Sequence, residues 1–148
     1  MRPRSTASCS IVGMELQHME LSPALRALLE RPAFGHVITM NRDGSPQVTL
    51  VWMDVHNGRP AFNTATGRQK DRNLARDGRV MVSVQNPDNP AEYALIEGTA
   101  RVSEDADFAH INRLARKFVG RDYSNRSEQR ISVEIDITRV TGRGPWVG

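Results

Sequence analysis

The chain has 148 residues, which suits a single domain, and its 39% hydrophobic and 25% charged residues are ordinary for a globular protein. The net charge is +3 and the cations are not gathered in one tract, which argues against a dedicated nucleic-acid binder. No run approaches the roughly 20 apolar residues of a membrane span. We therefore expect a cytoplasmic protein with no nucleic-acid partner and no membrane span.

The first 20 residues are predicted to be a disordered leader, followed by a folded domain over residues 21–148. The opening MRPRSTASCSIVG contains Arg and Ser but no acid, and its apolar part is too short for a secretory signal. Met14 is a candidate start, and the sequence leaves open whether residues 1–13 belong to the mature protein. The single cysteine, Cys9, excludes an internal disulfide and a cysteine-based metal cluster.

Three short helices are predicted. Ser22 and Pro23 are favoured N-cap and first-turn residues, so an amphipathic helix should start there and end before Pro32. The other two helices are predicted over residues 68–76, closed by Gly78, and 105–119, closed by Gly120.

Six strands are predicted, over residues 34–40, 47–55, 59–65, 80–84, 93–102 and 130–137. Asp43-Gly44 and Asn57-Gly58 indicate hairpin turns, and Gly98 indicates a bulge. The second strand is apolar on both faces, whereas the strict alternation of the last one predicts a solvent-facing side. Strands in hairpin order with a few helices predict an α+β fold built on an antiparallel barrel.

The stretch TATGRQKDRNL, residues 64–74, joins a strand to a helix and is the main candidate binding segment. Hydroxyls at Thr64 and Thr66, the turn at Gly67, and cations at Arg68 and Lys70 are groups that bind phosphate, together with free backbone N–H groups. A solvated basic loop explains the same residues equally well. The stretch is not a Walker A loop.

No side chain is identified as catalytic. The histidines (His18, His36, His56 and His110) lack metal-ligand spacing, so no metal site is expected, and no Gly-x-Ser-x-Gly or Cys–His arrangement occurs. A binding segment without a catalytic side chain suggests that a cofactor carries the chemistry.

Five local motifs occur in an order that resembles a known superfamily. They are the Asp43-Gly44-x-Pro46 turn, the strand over residues 47–53, the block Thr64…Arg68-x-Lys70-x-x-Asn73-Leu74, the strand Tyr93…Glu97-Gly98-x-Ala100, and Arg130-Ile131. Together they resemble the FMN-binding split-barrel superfamily, which includes pyridoxamine-phosphate oxidases, and most closely its branch that uses the deazaflavin coenzyme F-420. The resemblance implies a six-stranded antiparallel split β-barrel that pairs as a homodimer, with the cofactor at the subunit interface.

The resemblance also implies which residues bind the cofactor. Thr64, Thr66, Arg68 and Lys70 would hold its phosphate, with Asn73 capping or supporting the phosphate loop. Gln47, Val48 and Thr49 would face its ring, and Tyr93 and Arg130 would come from the second subunit. Barrel packing and a surface ion pair are the alternatives for the last two.

One departure bears on the cofactor and on the activity. Pyridoxamine-phosphate oxidases carry adjacent Arg-Lys, but here Gln69 intervenes, and the longer C-terminal region that grips pyridoxal phosphate is missing. We therefore expect an F-420-dependent oxidoreductase that reduces a small conjugated molecule by hydride transfer. The alternatives are an FMN-dependent enzyme resembling pyridoxamine-phosphate oxidase, a non-catalytic binder of flavin, F-420 or a tetrapyrrole, and, third, an RNA-binding barrel.

Overall fold

A computed structural model describes residues 19–147, which contain three α-helices and seven strands. The helices are α1 (Pro23–Glu30), α2 (Gln69–Arg76) and α3 (Ala109–Val119). The strands are β1 (Phe34–Met40), β2 (Pro46–Trp52), β3 (Asp54–His56), β4 (Arg59–Ala65), β5 (Arg79–Gln85), β6 (Tyr93–Glu104) and β7 (Arg130–Arg143). Among the described residues, no helix is long and apolar enough to cross a membrane.

All strand pairs are antiparallel, in the order β2-β1-β5-β6-β7-β4-β3. Contacts between β2 and β4, which are far apart in that order, curl the sheet into a half-barrel. The concave side holds the core, where α1 buries Leu25, Leu28 and Leu29 against the sheet. Trp146, near the C-terminus, completes this cluster, and its Nε1 donates to the carbonyl of Tyr93 at 2.8 Å. The predicted α+β split barrel is confirmed.

The number of strands differs from the predicted six because the segment 47–55 is not one strand. β2 pairs with β1, whereas β3 pairs with β4 on the other side of the half-barrel. The chain changes partner at Met53, whose N–H donates to the carbonyl of Ala33 at 3.3 Å. Apolar side chains continue through this change, so the sequence pattern does not reveal it.

The predicted solvent-facing side of the last strand is wrong, because residues 130–135 of β7 are all buried. The polar members of the alternation face other polar groups instead of water. Ser132 contacts His110 of α3 at 2.7 Å, and Glu134 accepts a hydrogen bond from Asn57 at 2.8 Å. Alternation therefore identified the two faces of the strand but not what covers the polar one.

Two helix boundaries also differ from the prediction. α3 starts at Ala109 because Phe108 adopts a left-handed conformation (φ 63°), and the side chain of Asp105 accepts from the N–H groups of His110 and Ile111. α2 is not closed by Gly78, since its C-cap is Asp77 in an extended conformation. The Ser22 cap on Leu25 N–H (3.2 Å), the turn at Asn57-Gly58 and the bulge at Gly98 are found as predicted.

Residues 1–18 of the predicted leader lie outside the described part of the chain, and the division at residue 20 stays a prediction. Met19, within that division, forms an isolated bridge with Ile137 of β7.

Candidate functional site

Three cations meet at the junction between β4 and α2. They are Arg68 and Lys70 of the predicted phosphate site and Arg130 of the same chain, which the resemblance implied would come from the second subunit. β4 ends at Ala65, which pairs with Arg130 at the start of β7, and Arg68 and Lys70 follow within a few residues. The Lys70 side chain is buried, with 7% of its surface exposed. Burial lowers the pKa of Lys70, and the nearby charges of Arg68 and Arg130 lower it further. Within residues 19–147, Lys70 forms neither a side-chain hydrogen bond nor an ion pair.

The two arginines share one carboxylate, that of Glu128. Arg68 Nη2 donates to Glu128 Oε2 at 2.7 Å, and Arg130 Nη1 donates to Oε1 at 3.0 Å. Hydrogen bonding to Arg68 is the main reason that the pKa of Glu128 is lowered. Arg130 is fixed further by Asn63, whose Oδ1 accepts from its Nε at 2.9 Å, and by the ring of Tyr123, 4.9 Å from its guanidinium carbon.

The backbone N–H groups of the loop, which were predicted to be free to bind phosphate, already donate hydrogen bonds within the chain. Thr66 N–H donates to the carbonyl of Gln129 (2.9 Å), Gly67 N–H to the carboxylate of Asp71 (2.7 Å), and Arg68 N–H to the carbonyl of Ala65 (3.3 Å). The N-cap residue, Arg68, makes no capping hydrogen bond with its side chain. An anion here would therefore be bound by side chains and by the first-turn N–H groups of α2, which have no partner inside the helix.

Asn73 supports the site from behind and does not face it. Its side chain is fully buried, and its Nδ2 donates to Thr39 Oγ1 and Asn41 Oδ1, both at 3.0 Å. Its Oδ1 accepts from Gln69 Nε2 at 2.7 Å. Asn73 therefore holds α2 against β1, and thereby helps to place Lys70.

The predicted ring-facing residues lie on β2, an edge strand of the sheet, whose outer backbone groups are free to bind a ligand or a partner. Their side chains alternate, so Gln47 and Thr49 point to one face and Val48, 54% exposed, to the other. Thr49 Oγ1 is buried and has no hydrogen-bond partner in the described part of the chain. Gln47 Oε1 accepts from Thr39 Oγ1 at 3.3 Å.

Tyr93 is not close to the cations within the chain. It pairs with Arg143 at the far end of β7, whereas Arg130 begins that strand, and a strand of this length spans roughly 40 Å. Tyr93 is 43% exposed. Its predicted contribution from a second subunit stays a prediction.

Two grooves adjoin the cation cluster and share Arg68. One, of about 210 Å³, combines an apolar wall with the two arginines and Tyr123; the wall is formed by Phe34, Leu50, Val51, Trp52 and Ile111. The other, of about 550 Å³, is more open and is lined by residues 65–68 and 127–129. Trp52 stacks on Phe118 with 5.3 Å between ring centroids, which stiffens the apolar wall.

Sequence reasoning missed Glu128, Tyr123 and Asn63. Glu128 and Tyr123 lie in the loop before β7, where no periodic pattern marks a residue that points inward. Asn63 is buried in β4 with its side chain between Arg130 and Asp105. Its position opposite Ser132 in the ladder is a tertiary fact that a single sequence does not contain.

A second polar cluster lies under α3 and resembles a Ser-His-Asp arrangement. His110 contacts Ser132 Oγ at 2.7 Å and Asp54 Oδ1 at 2.9 Å, and Arg113 binds the other oxygen of Asp54. Ser132 is 2% exposed and His110 is 1% exposed, so both side chains are shielded from solvent in this structure. The cluster fixes α3 to β3 and β7, and we assign it no chemistry.

Comparison with known proteins agrees with this fold. The family model described as pyridoxamine 5'-phosphate oxidase matches residues 21–144. An F420 reductase superposes with a TM-score of 0.71 and 30% identity, covering 78% of this chain and 94% of its own. No curated protein matches the sequence.

Two more distant structures share the fold. The conserved hypothetical protein Rv2991 from Mycobacterium tuberculosis has a TM-score of 0.67 and 22% identity, covering 85% of this chain and 88% of its own. HupZ of Group A Streptococcus has a TM-score of 0.58 and 17% identity, covering 79% and 89%. Because the family match extends over nearly all of the described residues, this chain belongs to the pyridoxamine 5'-phosphate oxidase family of split barrels.

Proposed function

We propose that the protein is a homodimeric oxidoreductase that binds a phosphorylated flavin-type coenzyme, F-420 in preference to FMN, and reduces a small conjugated molecule. The observation that carries this proposal is Lys70, a residue only 7% exposed whose ammonium has no hydrogen-bond partner or counter-ion among residues 19–147. A buried cation without a partner costs folding free energy, and an arriving phosphate would supply the missing charge.

The surrounding residues fit a phosphorylated coenzyme. Thr64 lies at the end of β4, one residue before Ala65, and Arg68, whose side chain is 52% exposed, lies at the surface of the site. The free backbone groups on the outer edge of β2 offer hydrogen bonds to a polar ring edge. Leu50 and Trp52 would shield the ring from water. The bound coenzyme would supply hydride, while these side chains bind it, orient it and exclude solvent.

The preference for F-420 rests on two features. Arg68 and Lys70 are separated by Gln69, the spacing that resembles the deazaflavin branch. The structure at 30% identity is that of an F420 reductase. FMN presents a phosphate to the same cations and is the alternative coenzyme.

The proposed dimer is supported by the outer face of β1 and β2. Phe34, Val48 and Leu50 are 47%, 54% and 57% exposed, and Val48 pairs with Ile38. Large exposed apolar groups that adjoin one another are typical of an interface. Pairing of two copies through this face would also bring residues of the second subunit toward the groove.

The test is a parallel titration of the apo protein with FMN and F-420, followed by turnover measurements with the reduced coenzyme and a panel of electron acceptors. We expect F-420 to bind more tightly and to be consumed in an acceptor-dependent reaction. Binding without turnover would indicate a non-catalytic carrier. If neither coenzyme binds, the proposed function is wrong.

A further inference from the structure

The corner proposed for the phosphate, where Arg68, Lys70 and Arg130 meet, already contains a carboxylate of this chain. Glu128 accepts from Arg68 at 2.7 Å and from Arg130 at 3.0 Å, and the hydroxyl of Tyr123 donates to it at 3.3 Å. Two of the three cations at this corner are thus engaged by a side-chain anion. Lys70 is the third, and it has no partner in the described residues.

A phosphate and this carboxylate cannot both use the arginines without repulsion. Like charges a few ångströms apart disfavour each other strongly where water is partly excluded. Arg68 is free to move, because its side chain is 52% exposed, whereas the side chain of Arg130 is 7% exposed and tied to Asn63. Exchange of anions would therefore open the contact between Arg68 and Glu128.

That contact also lies between the two grooves. Arg68 lines both of them, Glu128 lines only the open one, and Arg130 lines only the apolar one. Opening the contact would join the apolar groove to the open one. A coenzyme with a ring and a long phosphorylated tail needs such a continuous path, whereas free phosphate does not.

We propose that Glu128 is a specificity-determining residue that competes with incoming phosphate for Arg68 and Arg130. It weakens the binding of free phosphate, so that only a ligand with a second anchor in the apolar groove binds tightly. This inference rests on the proposed function for the identity of the ligand, but the competition itself can be measured with inorganic phosphate.

The test is a calorimetric titration of the wild type and of Glu128→Gln with inorganic phosphate at constant ionic strength. Glutamine keeps the size and one of the two hydrogen-bonding oxygens but removes the charge. We expect the variant to bind phosphate about tenfold more tightly, the size expected for one charge-assisted contact. Asp122→Asn is the matched control, because Asp122 lies in the same loop but pairs with Arg116, and its affinity should equal that of the wild type.

Adding Arg68→Ala to the Glu128→Gln protein should abolish the gain, which places the phosphate at this corner. An unchanged or weaker affinity in Glu128→Gln, or a gain that survives the loss of Arg68, would overturn the inference. Thermal unfolding verifies that each variant is folded. Glu128→Ala is the second variant in which residue 128 carries no charge. If the phosphate gain is found but neither coenzyme binds, the competition stands and the proposed coenzyme function fails.

Discussion

Replacing Lys70 with methionine should separate the cost of a buried charge from its use in binding. Methionine fills a similar volume without the charge, and the residue is 7% exposed, so a charge there is partly removed from water. The lowered pKa of Lys70 means that the fold disfavours its protonated form. We therefore expect Lys70→Met to leave the free energy of unfolding of the apo protein unchanged or to raise it by up to about 1 kcal/mol.

The same substitution should weaken coenzyme binding by about 1.5–3 kcal/mol, the range for a hydrogen bond to a charged group, or roughly 10- to 150-fold in the dissociation constant. Urea unfolding measures the first quantity and fluorescence titration with F-420 and FMN measures the second. Arg79→Met is the control, because it removes the same charge from a 76% exposed side chain paired with Asp77. Retained affinity in Lys70→Met would refute the assignment, and a loss of apo stability above about 2 kcal/mol would make Lys70 a structural residue.

Three further predictions concern the frame around the site. Gly98→Ala should lower the free energy of unfolding in urea by about 2–4 kcal/mol, because the added Cβ would lie 2.1 Å from the carbonyl oxygen of Asp136. Gly78→Ala is the control and should lower it by less than about 1 kcal/mol, because its nearest neighbour would lie at 3.4 Å. Equal losses in the two variants would contradict the tight bulge. Burial lowers the pKa of Lys117 from 10.5 to about 8. Below pH 8 the buried side chain is protonated and lowers the free energy of unfolding, and this loss disappears as the pH rises from 8 to 10.5. The stability of the wild type relative to Lys117→Met should therefore increase with pH across that window in thermal unfolding, and a flat difference would argue against the shift. Leu50→Asp should shift the proposed dimer to monomers in sedimentation velocity, because it places a charge on the exposed apolar face, and an unchanged dimer would exclude that face.

Local chemistry made much of the fold predictable from the sequence. Ser22 caps the first helix as its residue type favours, and Asn57-Gly58 forms the hairpin turn with positive φ at both positions. The bulge at Gly98 follows from a glycine inside a strand pattern. Each of these features depends on a few neighbouring residues, so the sequence contains the necessary information.

The features that depend on distant partners were not predictable in the same way. The partner change at Met53 is set by which strands flank the segment, and its side chains give no sign of it. The polar face of β7 is buried because α3 and the turn between β3 and β4 cover it with matching polar groups. In the site, the cations were identifiable from residue type and spacing, but Glu128 was not, because its contact with Arg68 joins residues 60 positions apart.

The most direct measurement is a crystal structure of the protein with coenzyme F-420 bound. We expect a phosphate oxygen within about 3 Å of Lys70 Nζ, with Glu128 withdrawn from Arg68 and the ring lying along β2. A coenzyme bound elsewhere, or a complex in which Lys70 still has no anionic partner, would contradict the assignment of this corner as the phosphate site.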